Sequence, residues 1–227
     1  MRLADLSSPD VATRAASGAI LAVPVGATEQ HGPHLPLGTD TDIATALCDR
    51  LAAGRPDVVV APAVAYGSSG EHAGFAGTLS IGQAATELLL VELGRSASDT
   101  FRRLLFVSAH GGNAASVTRA VATLRAESRN VSVFQPRWQG DPHAGRPETA
   151  LQLALRPEVV QMDQAAPGDG RPLAELLPVL RRGGVRAVTD TGVLGDPTRA
   201  TADEGRALLD DLTTQLLAHV RDWVATS

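Results

Sequence analysis

The sequence has little cysteine, no lysine and few aromatic residues. Cys48 is the one cysteine among 227 residues, which excludes a disulfide framework and a zinc site built from several thiolates. All 20 basic residues are arginine, so Schiff-base and P-loop lysine chemistry are also excluded. Aromatic residues make up only 3% of the chain, so its core must be built mainly from valine, leucine, isoleucine and alanine. Cys48 lies in a helical pattern and is expected to be a small buried apolar residue.

Long apolar runs and an excess of basic charge are also missing. No stretch of about 18 apolar residues is present, so no membrane span is expected. The first residues include acids and no apolar signal-peptide core, which predicts a cytoplasmic protein. The net charge of −5 is atypical of proteins that bind nucleic acid. With 44% hydrophobic residues and no linker or repeat, residues 1–227 are expected to form one domain.

Short apolar runs alternate with helical patterns along most of the chain. The runs are typical of buried parallel strands and lie at 19–25, 58–64, 104–109 and 131–135. The helical patterns lie at 41–53, 84–103, 113–128, 148–155 and 201–224. This alternation predicts an α/β fold with three layers, α/β/α, and a mainly parallel central sheet.

Two local signals refine this prediction. Thr201 and Glu204 form a capping box at the start of the last helix, and Pro147 occupies the first position of the helix before it. Residues 165–197 are rich in glycine, proline and aspartate, so they are predicted to be a loop with little regular structure.

Polar clusters follow the four predicted strands. GATEQHGPHLPLGTD follows the first strand, YGSSGEHAGFAGT the second, HGGN the third and GDPHAGRPE the fourth. Because the loops beyond the carboxyl ends of parallel strands lie at one edge of an open sheet, the four clusters are expected to meet there.

These clusters contain histidines and carboxylates but no thiolates. Glu29 and His31 are two residues apart, so in an extended segment their side chains point the same way, and Asp40 lies at a helix start. A mixed nitrogen and oxygen donor set of this kind suits Zn, Fe or Mn, or a pair of such ions. The candidates are Glu29, His31, Asp40, His110, His143 and Glu148.

Other polar residues leave two readings open. Asp42, two residues from the candidate Asp40, is expected to be a first-turn acid of its helix, with a role as the metal ligand in place of Asp40 as the alternative. His34 either orients a metal ligand or is a polar residue of the loop. Glu71 and His72 lie in a glycine-rich loop that is expected near the substrate, with a self-bonded turn as the alternative. Trp138 walls a pocket or packs near the fourth strand.

Several segments resemble a known family. PVGATEQHGPHLPLGTDTDIA resembles the signature of the creatininase family, whose members are metal-dependent amidohydrolases. EHAGFAGTLS, SAHGGN and HAGRPETA follow in the order of its other landmarks. The match runs from about 21 to 155, and GVLGDP followed by ATADEG extends it towards the C-terminus. The resemblance implies a creatininase-like fold and hydrolysis of an amide or peptide bond.

The resemblance also implies two divalent metal ions per subunit, Fe²⁺ or Zn²⁺, with Mn²⁺ also compatible. Glu29, Asp40 and His110 are expected to hold one ion. His31, Asp40 and Glu148 are expected to hold the other, with Asp40 as the bridge.

Roles for further residues follow from the same resemblance. His143 matches the catalytic histidine of the family. Creatinine-hydrolysing members carry a glutamate ligand two residues after the histidine ligand, where this chain has Gly112, so Glu148 is expected to replace it. Asn113 and the backbone of Gly111 and Gly112 are candidate donors to the oxyanion.

Flanking segments narrow the expected substrate. YGSSGEHAGFAGTLSIG, LLVELGRSAS and GVLGDPTRAT most resemble the branch of the family that trims a modified ribosomal precursor peptide, which implies release of a C-terminal dipeptide. A small-molecule amidohydrolase acting on creatinine or a formamide is the alternative. A nucleotide-binding module would need a G-x-G-x-x-G fingerprint after the first strand, and GATEQH lacks it. The family resemblance further implies a hexamer or octamer.

Overall fold

The computed structural model describes residues 1–226 and is built around a four-stranded sheet. All neighbouring strands are parallel, and their order is β2-β1-β3-β4. The strands are β1 (Ile20–Val25), β2 (Val58–Val60), β3 (Arg103–Ser108) and β4 (Val131–Phe134). The predicted α/β fold with a parallel sheet is therefore confirmed.

Seven α-helices within residues 1–226 surround the sheet. They are α1 (Ser8–Ala16), α2 (Thr39–Gly54), α3 (Gly82–Ala97), α4 (Ala114–Ala126), α5 (Arg146–Leu155), α6 (Leu173–Gly183) and α7 (Ala202–Ala225). The predicted capping box is present at the start of α7, where the Thr201 hydroxyl accepts from the Glu204 N–H. None of these helices is long and apolar enough to cross a bilayer.

Alternate residues of β1 point to two separate cores, one on each face of the sheet. Ile20 and Ala22 pack with apolar residues of α2, α5 and α7. Leu21 and Val23 pack with apolar residues of α3 and α4. Because both faces of β1 are covered, its residues are apolar throughout and do not alternate with polar ones. The helices on the two faces form the outer layers of the fold. Cys48 is fully buried in the first core, as predicted.

Several predicted boundaries were wrong. The strand predicted at 58–64 ends at Val60, and only an isolated bridge joins Val64 to β1. The helix predicted at 84–103 ends at Ala97, where the Ser98 N–H bonds back to Gly94, and β3 already begins at Arg103. Helix α1 was not predicted at all.

Helix α6 overturns the prediction of a loop over 165–197. Its apolar residues Leu173, Leu176, Leu177 and Leu180 recur at helical spacing, which outweighs the interruption at Pro178. Only Leu176 is buried, because the helix packs mainly against the short 3₁₀ turns Gly70–His72 and Val185–Ala187. A helix this lightly packed, with glycine and proline on both sides, has a weak sequence signal.

Candidate metal centre and active site

The predicted metal ligands come from loops and helix starts at one edge of the sheet. Glu29 and His31 lie in the loop after β1, and His110 follows β3. Asp40 and Glu148 lie in the first turns of α2 and α5. Because β1 and β3 are parallel neighbours, the segments that follow them leave the sheet at the same edge. The structure thus brings five side chains that are distant in sequence into one cluster.

The Asp40 carboxylate lies at the centre of this cluster. Its Oδ1 is 3.3 Å from His31 Nε2, and its Oδ2 is 3.2 Å from His110 Nδ1. Glu29 Oε2 lies 3.2 Å from His110 Nε2, and Glu148 Oε2 lies 3.9 Å from His31 Nε2. Two groups of potential ligands result, each with ligand atoms within 4.8 Å of one another, and both contain Asp40.

Burial makes this cluster costly unless cations bind it. The five residues are at most 5% exposed. Glu29 Oε2, His31 Nε2 and Asp40 Oδ2 have no hydrogen-bond partner among residues 1–226. Buried polar atoms normally find partners, so unpartnered ones that face each other indicate a bound ion. The donor set of imidazoles and carboxylates fits Zn, Fe or Mn.

The two imidazoles are oriented by backbone carbonyls. His31 Nδ1 lies 3.2 Å from the carbonyl oxygen of Glu29, and His110 Nε2 lies 2.9 Å from that of Ser68. When each of these nitrogens donates its N–H to the carbonyl, the other ring nitrogen points at Asp40 and is free to bind a metal. Backbone acceptors of this kind typically fix the orientation of metal-binding histidines.

In the metal-free protein the cluster retains protons. Burial disfavours the imidazolium form, but the Asp40 carboxylate more than offsets this and raises the pKa of both His31 and His110 to about 10. Burial raises the pKa of Glu29 to about 8, with the Asp40 charge adding to it, and that of Glu148 to about 7. The positive histidines hold the pKa of Asp40 well below its usual range.

Metal binding is therefore expected to release protons and to strengthen as pH rises. Below about pH 10 an incoming ion must displace a proton from His31 Nε2 or His110 Nδ1. Below about pH 8 a proton must also leave Glu29, and below about pH 7 one must leave Glu148. We expect the apparent association constant to rise by about tenfold per pH unit for each proton displaced. Calorimetric titration between pH 6 and 8, in buffers of different ionisation enthalpy, measures this. An affinity that stays flat with pH, or a heat independent of buffer, would contradict it.

His143 lies beside the cluster and is held by Gln30. Its Nε2 lies 2.9 Å from the carbonyl oxygen of Gln30 and 3.0 Å from the side-chain nitrogen of the same residue. When Nε2 donates its N–H to the carbonyl, Nδ1 is the free nitrogen, 3.8 Å from Glu29 Oε1. The pKa of His143 lies well below its usual value because the ring is buried and His31 is positively charged nearby. His143 also forms a third potential ligand group with Glu29 and His31.

Gln30 is a site residue that the sequence analysis missed. Its Nε2 lies 2.8 Å from His72 Nδ1 and 3.2 Å from the carbonyl oxygen of Gly192, and its Oε1 accepts from the Gly32 N–H. The amide therefore ties the loop after β1 to two other loops. The sequence signal was its place between Glu29 and His31, but alternation in an extended segment predicted that it points away.

Comparison with known proteins identifies the family. The profile of the Creatininase family, described as creatinine amidohydrolase, matches residues 4–220. The chain belongs to the creatininase family. The resemblance found in the sequence is thereby confirmed, and the chain is a hydrolase.

Curated relatives place the chain within this family, and a solved structure shares its fold. It is 51% identical to the mycofactocin precursor peptide peptidase of Mycolicibacterium smegmatis, covering 88% of this chain and 84% of the relative. It is 49% identical to the protein of that name from Mycobacterium tuberculosis CDC 1551, covering 90% and 85%. A mutant creatininase of the Zn-Zn type shares the fold, with 24% identity, a TM-score of 0.83 and coverage of 97% of each chain.

The structure shows what occupies the space beside Gly112, the position where the resemblance implied a glutamate ligand in other members of the family. A Cβ atom on Gly112 would lie 2.2 Å from Glu71 Oε1, 2.3 Å from the carbonyl oxygen of Ser68 and 2.4 Å from His110 Nε2. The Glu71 carboxylate thus lies where a side chain at 112 would begin, 3.8 Å from His110 Nε2. Lack of a side chain at 112 lets a carboxylate from another loop approach the cluster.

Replacing Gly112 with alanine is expected to disturb the metal cluster. The added methyl overlaps a backbone carbonyl and a ligand histidine, so we expect a loss of about 1–3 kcal/mol in unfolding free energy and weaker metal retention. Gly111→Ala is the matched control, because its Cβ would meet no atom within 4 Å. Denaturant unfolding and metal analysis compare the two variants, and equal behaviour would show that the space at 112 is not restricted.

A cavity of about 420 Å³ opens above the cluster. Glu29, Asp40, His110 and Glu148 form part of its lining, together with Glu71 and His72 from the loop after β2. Leucines of α6 form the opposite side. The predicted proximity of Glu71 and His72 to the substrate thus corresponds to their position in this cavity.

The remaining candidates lie around the cavity without lining it. His34 Nε2 is 2.9 Å from the Thr149 hydroxyl, so His34 supports the first turn of α5. Asp42 accepts from Arg156 and belongs to its helix surface, as expected. Trp138 packs against the core and not over the cluster.

Asn113, a candidate oxyanion donor, is fully buried, and its side-chain amide bonds to the backbone of two loops. Its amide donates to the carbonyl oxygen of Gly26 over 2.9 Å and accepts from the Ser68 N–H over 2.8 Å. Both ends of the amide are thus used to join the loops after β1 and β2. We therefore assign Asn113 to loop positioning and not to the substrate.

Proposed function

We propose that this protein hydrolyses a peptide bond of the modified mycofactocin precursor peptide and releases its C-terminal dipeptide, Val-Tyr. The observation that carries the proposal is the pair of ligand groups that share Asp40 beneath an open cavity. The names of the curated relatives support a peptide substrate. The precursor is made by ribosomes, so we propose that the protein acts in the cytoplasm.

Two divalent ions, Fe²⁺ or Zn²⁺ with Mn²⁺ also compatible, are proposed as cofactors. Glu29, Asp40 and His110 would hold one ion, and His31, Asp40 and Glu148 the other. When bound, such ions lower the pKa of a water molecule and polarise the scissile carbonyl. The two carboxylate oxygens of Asp40 face different histidines, which supports its role as the bridge between the two ions.

His143 is proposed as the group that moves the proton. Its lowered pKa leaves Nδ1 unprotonated at neutral pH, so this nitrogen can accept a proton from the attacking water. The same proton is then delivered to the amide nitrogen as the carbon–nitrogen bond breaks, and the products are a carboxylate and an amine. The N–H at Nε2 donates to the Gln30 carbonyl throughout and keeps the ring in place.

Hydrolysis of a small amide, such as creatinine or a formamide, is the second candidate, and the description of the matching family profile favours it. Against creatinine, the described residues lining the cavity include leucines but no phenylalanine, tyrosine or tryptophan on which a planar ring could stack.

Incubation of the metal-loaded protein with the modified precursor peptide tests the proposal. We expect mass spectrometry to detect loss of the terminal dipeptide, and no loss after a chelator has removed the metal. An intact peptide together with turnover of creatinine or a formamide would replace the proposal by the second candidate.

We also propose that the protein assembles into a hexamer or octamer. Leu79, Leu88 and Tyr66 are more than half exposed, and Ile81 and Leu89 are more than a third exposed. Exposed apolar side chains mark interfaces when they form a contiguous patch. Gly67 and Ser80 pair as a bridge, so the exposed residues Tyr66, Leu79 and Ile81 lie in neighbouring segments. Light scattering coupled to size exclusion gives the mass, and a monomer at micromolar concentration would contradict the proposal.

A further inference from the structure

One wall of the cavity is an apolar helix face that carries a single positive charge. Leu173, Leu177, Leu180 and Arg181 of α6 all line the cavity above the metal cluster. Leu173 and Leu177 are 44% and 37% exposed, so this face of the helix is not covered by the rest of the chain. The opposite wall and the floor carry the carboxylates and histidines.

Arg181 is the one arginine among the described residues that line the cavity, and no acid within residues 1–226 pairs with it. Arg171 is paired with Asp169 at the start of the same segment, and the Arg186 guanidinium lies over the Phe75 ring at 5.1 Å. Many other arginines of this acidic chain form ion pairs with aspartate or glutamate. Arg181 thus brings an unpaired guanidinium to the wall of the cavity.

Charge balance indicates what Arg181 would bind. The cavity lining contains four carboxylates, those of Glu29, Asp40, Glu71 and Glu148. Two divalent ions would neutralise these four charges, which leaves the guanidinium as the excess charge. A guanidinium beside an apolar wall is well suited to a carboxylate, to which it can donate two parallel hydrogen bonds.

We propose that Arg181 binds a carboxylate of the peptide substrate while the leucines of α6 pack against its apolar side chains. This inference rests on the proposed peptide hydrolysis. The carboxylate is either that of the peptide terminus or that of an acidic side chain near the cleaved bond. In both cases Arg181 fixes the distance between a charged group of the peptide and the metal cluster, and so selects which bond is cut.

The test uses synthetic peptides with the carboxyl-terminal sequence of the precursor. One peptide is unchanged, one has a terminal carboxamide, one has its acidic side chains replaced by amides, and one carries both changes. Each is tested with the wild-type protein, with Arg181→Gln, and with Arg182→Gln as the matched control. Arg182 is the next residue of α6 and does not line the cavity.

Two quantities are measured for each combination of peptide and protein. Fluorescence anisotropy gives the affinity of the metal-loaded proteins in a His143→Ala background, in which cleavage is expected to be slow, and kcat/KM is measured with the metal-loaded proteins that retain His143. We expect the doubly neutralised peptide to bind the wild type about 10-fold more weakly than the unchanged peptide. We expect Arg181→Gln to bind the unchanged peptide about 10-fold more weakly than the wild type does, and to bind the doubly neutralised peptide with nearly unchanged affinity. We expect Arg182→Gln to bind both peptides as the wild type does. The singly changed peptides identify which carboxylate is bound.

The outcomes separate this inference from the proposed function. Two results would overturn the role of Arg181 even if the peptides are cleaved. One is that the wild type binds all four peptides with equal affinity, and the other is that Arg181→Gln lowers the affinity for all four by the same factor. Binding that depends on Arg181, without cleavage of the modified precursor peptide by the metal-loaded protein, would support the carboxylate site and reject the proposed hydrolysis.

Discussion

Replacing Asp40 with alanine is expected to remove both metal ions and to lower kcat/KM by at least about 10³-fold. Asp40 is the one residue common to the two ligand groups that contain Glu148 or His110, and its two oxygens face different histidines. Without it, each ion would retain only two protein ligands. The loss of its negative charge also lets His31 and His110 release their protons, so the folded protein avoids two unpaired buried charges.

Metal analysis of the purified variant, together with circular dichroism, measures this effect. Asp42→Ala is the matched control, because Asp42 lies in the same helical turn but pairs with Arg156 and does not belong to the ligand groups. We expect the control to retain two ions per subunit and near wild-type turnover. An Asp40→Ala protein that is folded and still binds two ions per subunit would refute the bridging role.

Replacing His143 with alanine is expected to lower turnover by about 10²–10⁴-fold while both ions remain bound. The five proposed ligands are unchanged in this variant, but no group remains at the position of Nδ1 to pass a proton to the leaving nitrogen. The loss is expected in kcat and not in metal content, because the proton is needed only during bond cleavage.

Metal content and single-turnover kinetics separate the two possible roles of His143. If the variant loses an ion, His143 is a ligand in the third group with Glu29 and His31. If turnover is unchanged, His143 has no part in the reaction. His219→Ala is the control for loss of a histidine, since His219 Nε2 lies 2.9 Å from the Ser132 hydroxyl on β4.

The central part of the fold could be predicted because its strands are local apolar runs. The run at 19–25 predicted β1 to within one residue, since both faces of that strand are buried. Helix α7 was predicted from its capping box, a signal contained in four residues. The short β2 and the early end of α3 were predicted less well, because apolar periodicity indicates that an element is present but not the residue at which it stops.

The candidate ligands could be found for a related reason. Glu29 and His110 follow parallel strands, and Asp40 opens a helix, so the topology alone placed them at one edge of the sheet. Gln30 could not be assigned in the same way, since its role depends on the positions of His72 and His143 after folding. The same is true of Glu71, whose approach to the cluster requires the space beside Gly112.

The order of apolar runs, helical patterns and polar clusters along the chain was enough to predict the parallel sheet, its helices and the edge where polar side chains collect. Periodicity and capping act over a few residues, and strand direction then determines where each loop begins. Which loop residues face inward was decided only by tertiary packing. Glu71 and Gln30 reach the site from segments without a regular repeat, and Arg181 reaches it from the lightly packed α6, so contacts between distant segments, and not local pattern, set their orientation.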